Sequence, residues 1–415
     1  MPRSLVRLLV LLAAAAAVLL PTAAVAHAEL LGTTPGAGSV VPGAQRVVLR
    51  FDEPVTVAPD SIEVTDPDGR RVDQGRARAV GATARVGVRA DVGGTYTVAW
   101  HVVSDDGHPE AGTYLFSVRH RSGHLPPVSR AGSASLGASY ALLRWCGYAG
   151  FCALVGGTVF VLLCWPDAAR LLRAELVAGG GGLLAWLAAW ASLLLQGAYD
   201  DGTWTHLLRA DTLLATLQSR TGAALMSRLL LLVVLGGVLV LGLRWGPLLR
   251  RGFRHRLLGA ELVLVLVASA TWSSAGHESV GPQWPLAVTS DAVHLTGVAL
   301  WVGGLFLVVS VRPPLPAMAT FSRTALPCVV AVAATGVYQA QRNLPGWAAL
   351  TGTGYGRLVL AKVAGLLALV GLGHLARRFL ARSSAARLGA LVVVEVVVAA
   401  AVLGVAAVLV QTAPA

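Results

Sequence analysis

Hydrophobic positions follow two different patterns along this chain. Between residues 27 and 119 they alternate with polar ones: Val47, Leu49 and Phe51; Ile62 and Val64; Val86 and Val88; Tyr96, Val98, Trp100 and Val102; Tyr114, Phe116 and Val118. An apolar side chain at every second position describes a strand with one face in a core and the other in water. Turn-forming stretches such as TPGAG, PDG and VGG separate these segments. Regular short strands with such turns predict an all-β, Ig-like antiparallel sandwich. Further on, the alternation gives way to eight long apolar runs, at 140–164, 176–198, 222–243, 257–275, 290–311, 322–341, 357–376 and 388–410. Each is near the ~20 residues that an α-helix needs to cross a bilayer. The sixth is the least apolar. The expected architecture is therefore a β-sandwich followed by an all-α polytopic membrane domain of about eight transmembrane helices.

The first segment bears on where the sandwich resides. Arg3 and Arg7 precede the apolar run Leu8–Leu20, and Pro21 and then Ala24-Val25-Ala26 come after it. A basic start, an apolar middle and an A-x-A end make a secretory signal peptide over residues 1–26. Cleavage after Ala26 leaves His27 as the first mature residue of an exported domain spanning 27–119. A stretch rich in Pro, Gly and Ser then reads as a linker over 120–138, ahead of a membrane domain over 139–411.

Composition agrees with the membrane reading. Of 415 residues, 55% are hydrophobic and 13% charged, with a net charge of +12 from 33 basic and 21 acidic side chains. The mean hydropathy is +0.67, too apolar for an ordinary soluble protein. The excess Arg lies between the apolar runs, so it speaks of topology rather than of nucleic acid. Arg170 and Arg173 follow the first run, Arg244, Arg250, Arg251, Arg254 and Arg256 the third, Arg312 the fifth, and Arg377, Arg378, Arg382 and Arg387 the seventh. The positive-inside rule puts these loops in the cytoplasm and the sandwich outside, on a multi-pass protein of the cytoplasmic membrane. Cys146, Cys152, Cys164 and Cys328 all sit in apolar runs, where no disulfide framework is implied.

His27 matters because a chain-starting histidine offers two nitrogens, its free α-amine and its ring Nδ1, that can close on one metal ion. The amine's reference pKa of ~8 lets a metal displace its proton at neutral pH. Adjacent nitrogens in a tetragonal arrangement suit Cu(II). The loop SDDGHPEAG (104–112) supplies Asp106 and His108 around Gly107, which lets the backbone turn so that carboxylate and imidazole converge. Read alone, His27 is simply the residue next to a cleavage site, and the loop a solvated acidic turn.

Polar groups near a bilayer are costly and point to function. His277 and Glu278 end the fourth run on its outer side; Asp291 and His294 begin the fifth, three apart and so on one helical face. A metal handed on from the sandwich would arrive here. The alternative for Ser290 or Asp291 is a helix cap. Glu261, Lys362, His374 and Glu395 are further ionisable residues inside runs. Lys362 is expected to snorkel outward, His374 lies near the cytoplasmic end as a candidate exit ligand, and Glu395 near mid-membrane marks a partner helix or a proton relay.

The stretches HAEL…TPGAGSVV, RFDEPV and YTVAWHVVSDDGHPEAGTYLFSV resemble the CopC family of periplasmic copper-binding β-sandwiches. That resemblance implies His27, Asp106 and His108 as Cu(II) ligands. The Met-rich Cu(I) site of some members is unsupported, since Met1, Met226 and Met318 all lie outside the domain. DAVHLTGVALWVGGL, FSRTALPCVVAVAATGVYQA and YGRLVLAKVAGLLALVGLGHLARR resemble the CopD family of copper-resistance and copper-uptake membrane proteins, most strongly over 270–410. That resemblance makes His277, Asp291 and His294 candidate copper ligands in the membrane domain, with the copper's oxidation state there left open. The expected function is capture of Cu(II) outside the cell and passage of copper across the cytoplasmic membrane. The expected partners are copper, the lipid bilayer and an external copper donor protein, with no nucleic acid. No Walker loop and no Cys-x-x-Cys occurs, which argues against an ATP-driven pump, and no enzymatic activity is expected. Two alternatives stay open: copper sequestration or resistance without transport, and a haem-b-type electron-transfer protein using His277, His294 and His374.

Overall fold

The computed structural model describes residues 28, 30–58, 60–104, 109–122, 134–200, 203–274, 283–344, 346–381 and 385–412. The signal segment, His27, Asp106, His108, His277 and Glu278 lie outside the described residues.

The N-terminal domain is a β-sandwich. One sheet has the order β1 (Leu30–Thr34), β3 (Ala44–Phe51), β7 (Thr83–Ala90), β6 (Asp73–Val80). The other runs β2 (Val40–Val41), β9 (Pro109–Val118), β8 (Gly94–Ser104), β4 (Val55–Thr56), with β5 (Ile62–Thr65) also paired to β8. The alternating residues fill the space between the sheets: Val47, Leu49, Val86, Tyr96, Val98, Val102, Phe116 and Val118 are all at most 2% exposed. Phe51 meets Trp100 edge-on at 5.4 Å, and Tyr96 stacks on Phe116 at 5.2 Å. Both pairs tie the core across strands. Strand β6 carries only one buried residue, Ala77, so its edge position leaves no alternating pattern to read.

Among the described residues eight helices are long and apolar enough to cross a bilayer. They are α1 (Ala134–Val159, continued by a π-turn to Cys164), α2 (Leu172–Asp200), α4 (Arg220–Trp245), α5 (Arg251–Ser273), α6 (Trp284–Val311), α7 (Leu315–Asn343), α9 (Gly354–Ala381) and α10 (Ala385–Leu409). Two short helices, α3 (Ala210–Gln218) and α8 (Trp347–Gly352), connect them. Helix α1 starts at Ala134, inside the stretch expected to be linker up to 138. The segment Ala134–Ser139 is mostly small residues with little apolar signal, yet it propagates a helix once the run behind it has nucleated one.

Glycines let the central helices meet backbone to backbone. A Cβ on Gly156 of α1 would stand 2.5 Å from the Gly303 Cα of α6, and one on Gly303 would strike the Cys152 carbonyl. Without a hydrophobic drive between helices in lipid, such close contact supplies the packing energy.

The sandwich rests on the α3 end of the bundle. Arg76 of β6 pairs with Asp211 at 3.3 Å, and Asp60 lies 3.9 Å from both His206 and Arg209. Hydrogen bonds from the Arg209 guanidinium hold the Asp211 carboxyl at about 2, below the usual carboxylate range.

Candidate functional site

In the sandwich, strand pairing brings together the segments that flank the expected ligands. Ala28, next to His27, is buried in the core, and Leu30 pairs with Phe51 at the end of β3. Four residues on, Val55 pairs with Ser104, where β8 enters the loop that carries Asp106 and His108. Pro109 leaves that loop opposite Val103. The stretch from Phe51 to Val55 spans at most ~13 Å even when fully extended. The first strand's beginning at Leu30 and the hairpin mouth therefore lie at one end of the sandwich. His101 is 8% exposed in β8, and burial drives its imidazole down to about 4. The ring therefore stays neutral at physiological pH.

The membrane domain holds a polar cluster in the third of the bundle nearest the sandwich. Asp291 and His294 both lie in the first half of α6, seven and ten residues beyond its first residue, Trp284. At ~1.5 Å per residue these offsets place them roughly ~10 Å and ~15 Å along the helix. The Asp291 carboxylate accepts one bond at each oxygen, from Ser273 Oγ of α5 at 2.6 Å and from Gln339 Nε2 of α7 at 3.0 Å. His294 is 7% exposed, and its Nδ1 lies 2.9 Å from Thr335 Oγ1 of α7. The Lys362 ammonium of α9 acts electrostatically on both Asp291 and His294. Lys362, expected to snorkel outward, thus lies within electrostatic reach of the acid–imidazole pair.

The Thr335 bond also fixes which nitrogen of His294 is available. The Thr335 hydroxyl has one proton, which it donates to the Ala331 carbonyl at 2.6 Å, the helix back-bond usual for threonine. A hydroxyl so engaged accepts from the imidazole, which favours the tautomer with the proton on Nδ1. In the neutral ring Nε2 then keeps its lone pair. A metal-binding histidine is normally held in this way, with its other nitrogen donating to a fixed acceptor.

Ser273, Thr335 and Gln339 carry no signal as isolated sequence positions. Thr335 and Gln339 are one turn apart in the weakest apolar run, and only the packing of α6 on α7 gives them a role. Among the described residues no group of three His, Cys, Asp or Glu side chains converges on one point. Asp291 and His294 therefore stand as a pair, and His277 and Glu278, the other polar residues expected near them, lie outside the described residues.

The CopC domain family matches residues 30–119, the N-terminal domain of copper resistance protein D-like proteins matches 135–285, and copper resistance protein D matches 315–409. The chain is a CopC domain fused to a CopD-type membrane domain. It is thus a multi-pass membrane protein of copper handling. The match to the D-type proteins begins at residue 135, well ahead of the region where motifs were legible from about 270. The copper transport protein CutJ of Bacillus subtilis (strain 168) is 26% identical over 375 residues, covering 83% of this chain and 66% of CutJ. The fusion thus spans just under two thirds of that relative's length. Protein YobA of Escherichia coli (strain K12) is 36% identical over 99 residues, covering 23% of this chain and 80% of YobA. A crystal structure of CopC from Methylosinus trichosporium OB3b matches 24% of this chain and 99% of its own, at 28% identity and a TM-score of 0.21.

Proposed function

We propose that this CopC–CopD protein captures Cu(II) outside the cell and passes copper inward across the cytoplasmic membrane. In this reading His27 is the mature N-terminus, and its amine and ring join Asp106 and His108 around one cupric ion. The arginines on the loops away from the sandwich set the orientation, with the sandwich outside. Copper leaving the sandwich meets Asp291 and His294 on the same side. The protein acts as a carrier or channel, not as an enzyme.

The observation that carries the proposal is the His294 arrangement. A buried imidazole has its Nδ1 2.9 Å from the Thr335 hydroxyl, one turn from a carboxylate, at the end of the bundle where the sandwich sits. A metal relay needs the tautomer with the proton on Nδ1, because it leaves Nε2 as the nitrogen that can bind an ion. Lys362 acts electrostatically on Asp291, and its positive charge opposes the cost of a carboxylate in the bilayer.

The test is uptake of labelled copper into sealed vesicles holding the purified protein, sandwich outward. Uptake that needs both Asp291 and His294 supports import. Copper bound tightly by the sandwich with no uptake supports sequestration instead, and a Soret band in the purified protein refutes the copper reading of the membrane histidines.

A further inference from the structure

We propose that a cavity at the far end of the same helix seam is a second copper site, formed by Glu395 and His374 with Met318 at its rim. The proposal rests on the import reading and names the site to which the first one delivers.

The cavity has a volume of about 200 Å3 and lies between α6, α7, α9 and α10. It has room for an ion and several waters, at ~30 Å3 per water. Glu395 of α10 lines it, 4% exposed, and its Oε1 has no hydrogen-bond partner. That oxygen faces α9, where a Cβ on Gly373 would stand 3.6 Å from it. The next residue, His374, is exposed at the cavity mouth. Arg377 also lines the cavity but donates to the Ser322 carbonyl at 3.3 Å. A carboxyl buried without a partner is held as the neutral acid or is paired by a cation, so a positive guest entering the cavity finds an acceptor there.

Depth and donor chemistry indicate which guest. Counting ~1.5 Å per residue from the nearest helix ends, Glu395 lies ~15 Å in, His374 ~10 Å and Met318 ~5 Å. Carboxylate, imidazole and thioether thus descend in order toward the cytoplasmic rim. Thioether is a soft donor that selects Cu(I), and imidazole suits copper as well. A monovalent ion against one carboxylate also leaves no net charge in a medium of low dielectric. Copper captured as Cu(II) takes one electron from an external one-electron donor, such as a quinol or a thiol, before it reaches this site as Cu(I); binding itself then forms dative bonds only.

The cavity continues the seam of the first cluster. On α7 the positions Gln339, Thr335, Val332, Val329 and Met318 share one face, the first two in the Asp291–His294 cluster and the last in the cavity. On α9, Lys362 and Gly373 stand on one face in the same way, with Leu369 between them lining the cavity. Val329, Val332 and Leu369 form the apolar stretch between the two polar stations.

The experiment uses the full chain in lipid nanodiscs, titrated with Cu(I) against a competing Cu(I) chelator, with Ag(I) as a redox-silent stand-in. Bound metal per chain is counted for the wild type, Glu395→Gln, His374→Ala and Met318→Leu, and copper uptake is measured in vesicles alongside. Loss of one bound ion in Glu395→Gln and in His374→Ala, and loss of the sulfur signal from the copper X-ray absorption of Met318→Leu, are the expected results. An unchanged count in both Glu395→Gln and His374→Ala overturns the second site, whether or not vesicles take up copper. If the count falls by one while wild-type vesicles take up none, the site stands and the import reading falls. Should Glu395→Gln fail to fold, His374→Ala carries the test, because its side chain stands at the mouth and not in the core.

Discussion

Replacing Thr335 by valine removes one acceptor and leaves the side chain's outline nearly unchanged, which isolates what the hydroxyl does for His294. In the wild type the Thr335 hydroxyl donates to Ala331 at 2.6 Å and accepts from Nδ1 of His294 at 2.9 Å. Valine leaves that buried N–H without a partner, a penalty of about 1–3 kcal/mol. The ring can escape it by moving the proton to Nε2, and the lone pair then sits on Nδ1, against α7 where no ion can reach. Losing such an orienting partner typically weakens metal binding about 10–100-fold, or about 1.4–2.7 kcal/mol. Thr335→Ser, which restores the hydroxyl, should bind like wild type. Two measurements check this: copper titration of the nanodisc-embedded protein, and the ring ¹⁵N shifts of labelled His294, which report the tautomer directly. Wild-type affinity together with unchanged ¹⁵N shifts in Thr335→Val would refute the orienting role, because the hydroxyl would then be irrelevant to the ring.

Other parts of the molecule give further expectations. In the sandwich, His27→Ala or one extra residue ahead of His27 should greatly weaken Cu(II) binding by titration, and unchanged affinity in either rules out the amine chelate. His101 is held at about 4 against its ordinary 6.5. Because the unfolded chain binds the proton first, stability should fall as pH drops from ~6.5 to ~4, by up to about 3 kcal/mol at about 1.36 kcal/mol per pH unit. A His101→Gln protein should show a flatter melting profile over that window. At the helix crossing, Gly303→Ala forces a methyl into the Cys152 carbonyl and should cost about 1–3 kcal/mol or more. Gly236→Ala, with nothing within 4 Å of the new methyl, is the control in the same detergent melt. Asp291→Asn should abolish vesicle uptake while leaving Cu(II) on the sandwich.

Much of the fold is legible because it rests on local periodicity. Val47, Leu49 and Phe51 alternate because one face of β3 is dry, and all three are buried where the alternation puts them. The eight runs form eight helices because a chain in lipid must satisfy its backbone polar groups within the segment. Strand β6 is illegible for the opposite reason: DQGRARAV is wet on nearly all sides and is held by its hydrogen bonds to β7, which leave no mark on composition. The small residues opening α1 read as linker for a similar reason, as a helix end takes its stability from the run behind it.

The two-part architecture, the CopC and CopD resemblance, and the placing of Asp291 and His294 on one helical face all came from the order of residues alone. Periodicity, turn chemistry and motif spacing act over a few residues and need no partner. What the pair does is a matter of packing. The Nδ1 of His294 meets a hydroxyl 41 residues away, Asp291 is gripped by Gln339 48 residues away, and Lys362 acts electrostatically on both. Glu395, His374 and Met318 come to one cavity from three helices. Hydrogen bonds and Coulomb interactions depend on distance in space, and for groups on different helices that distance is set by how the helices pack, which no local pattern encodes.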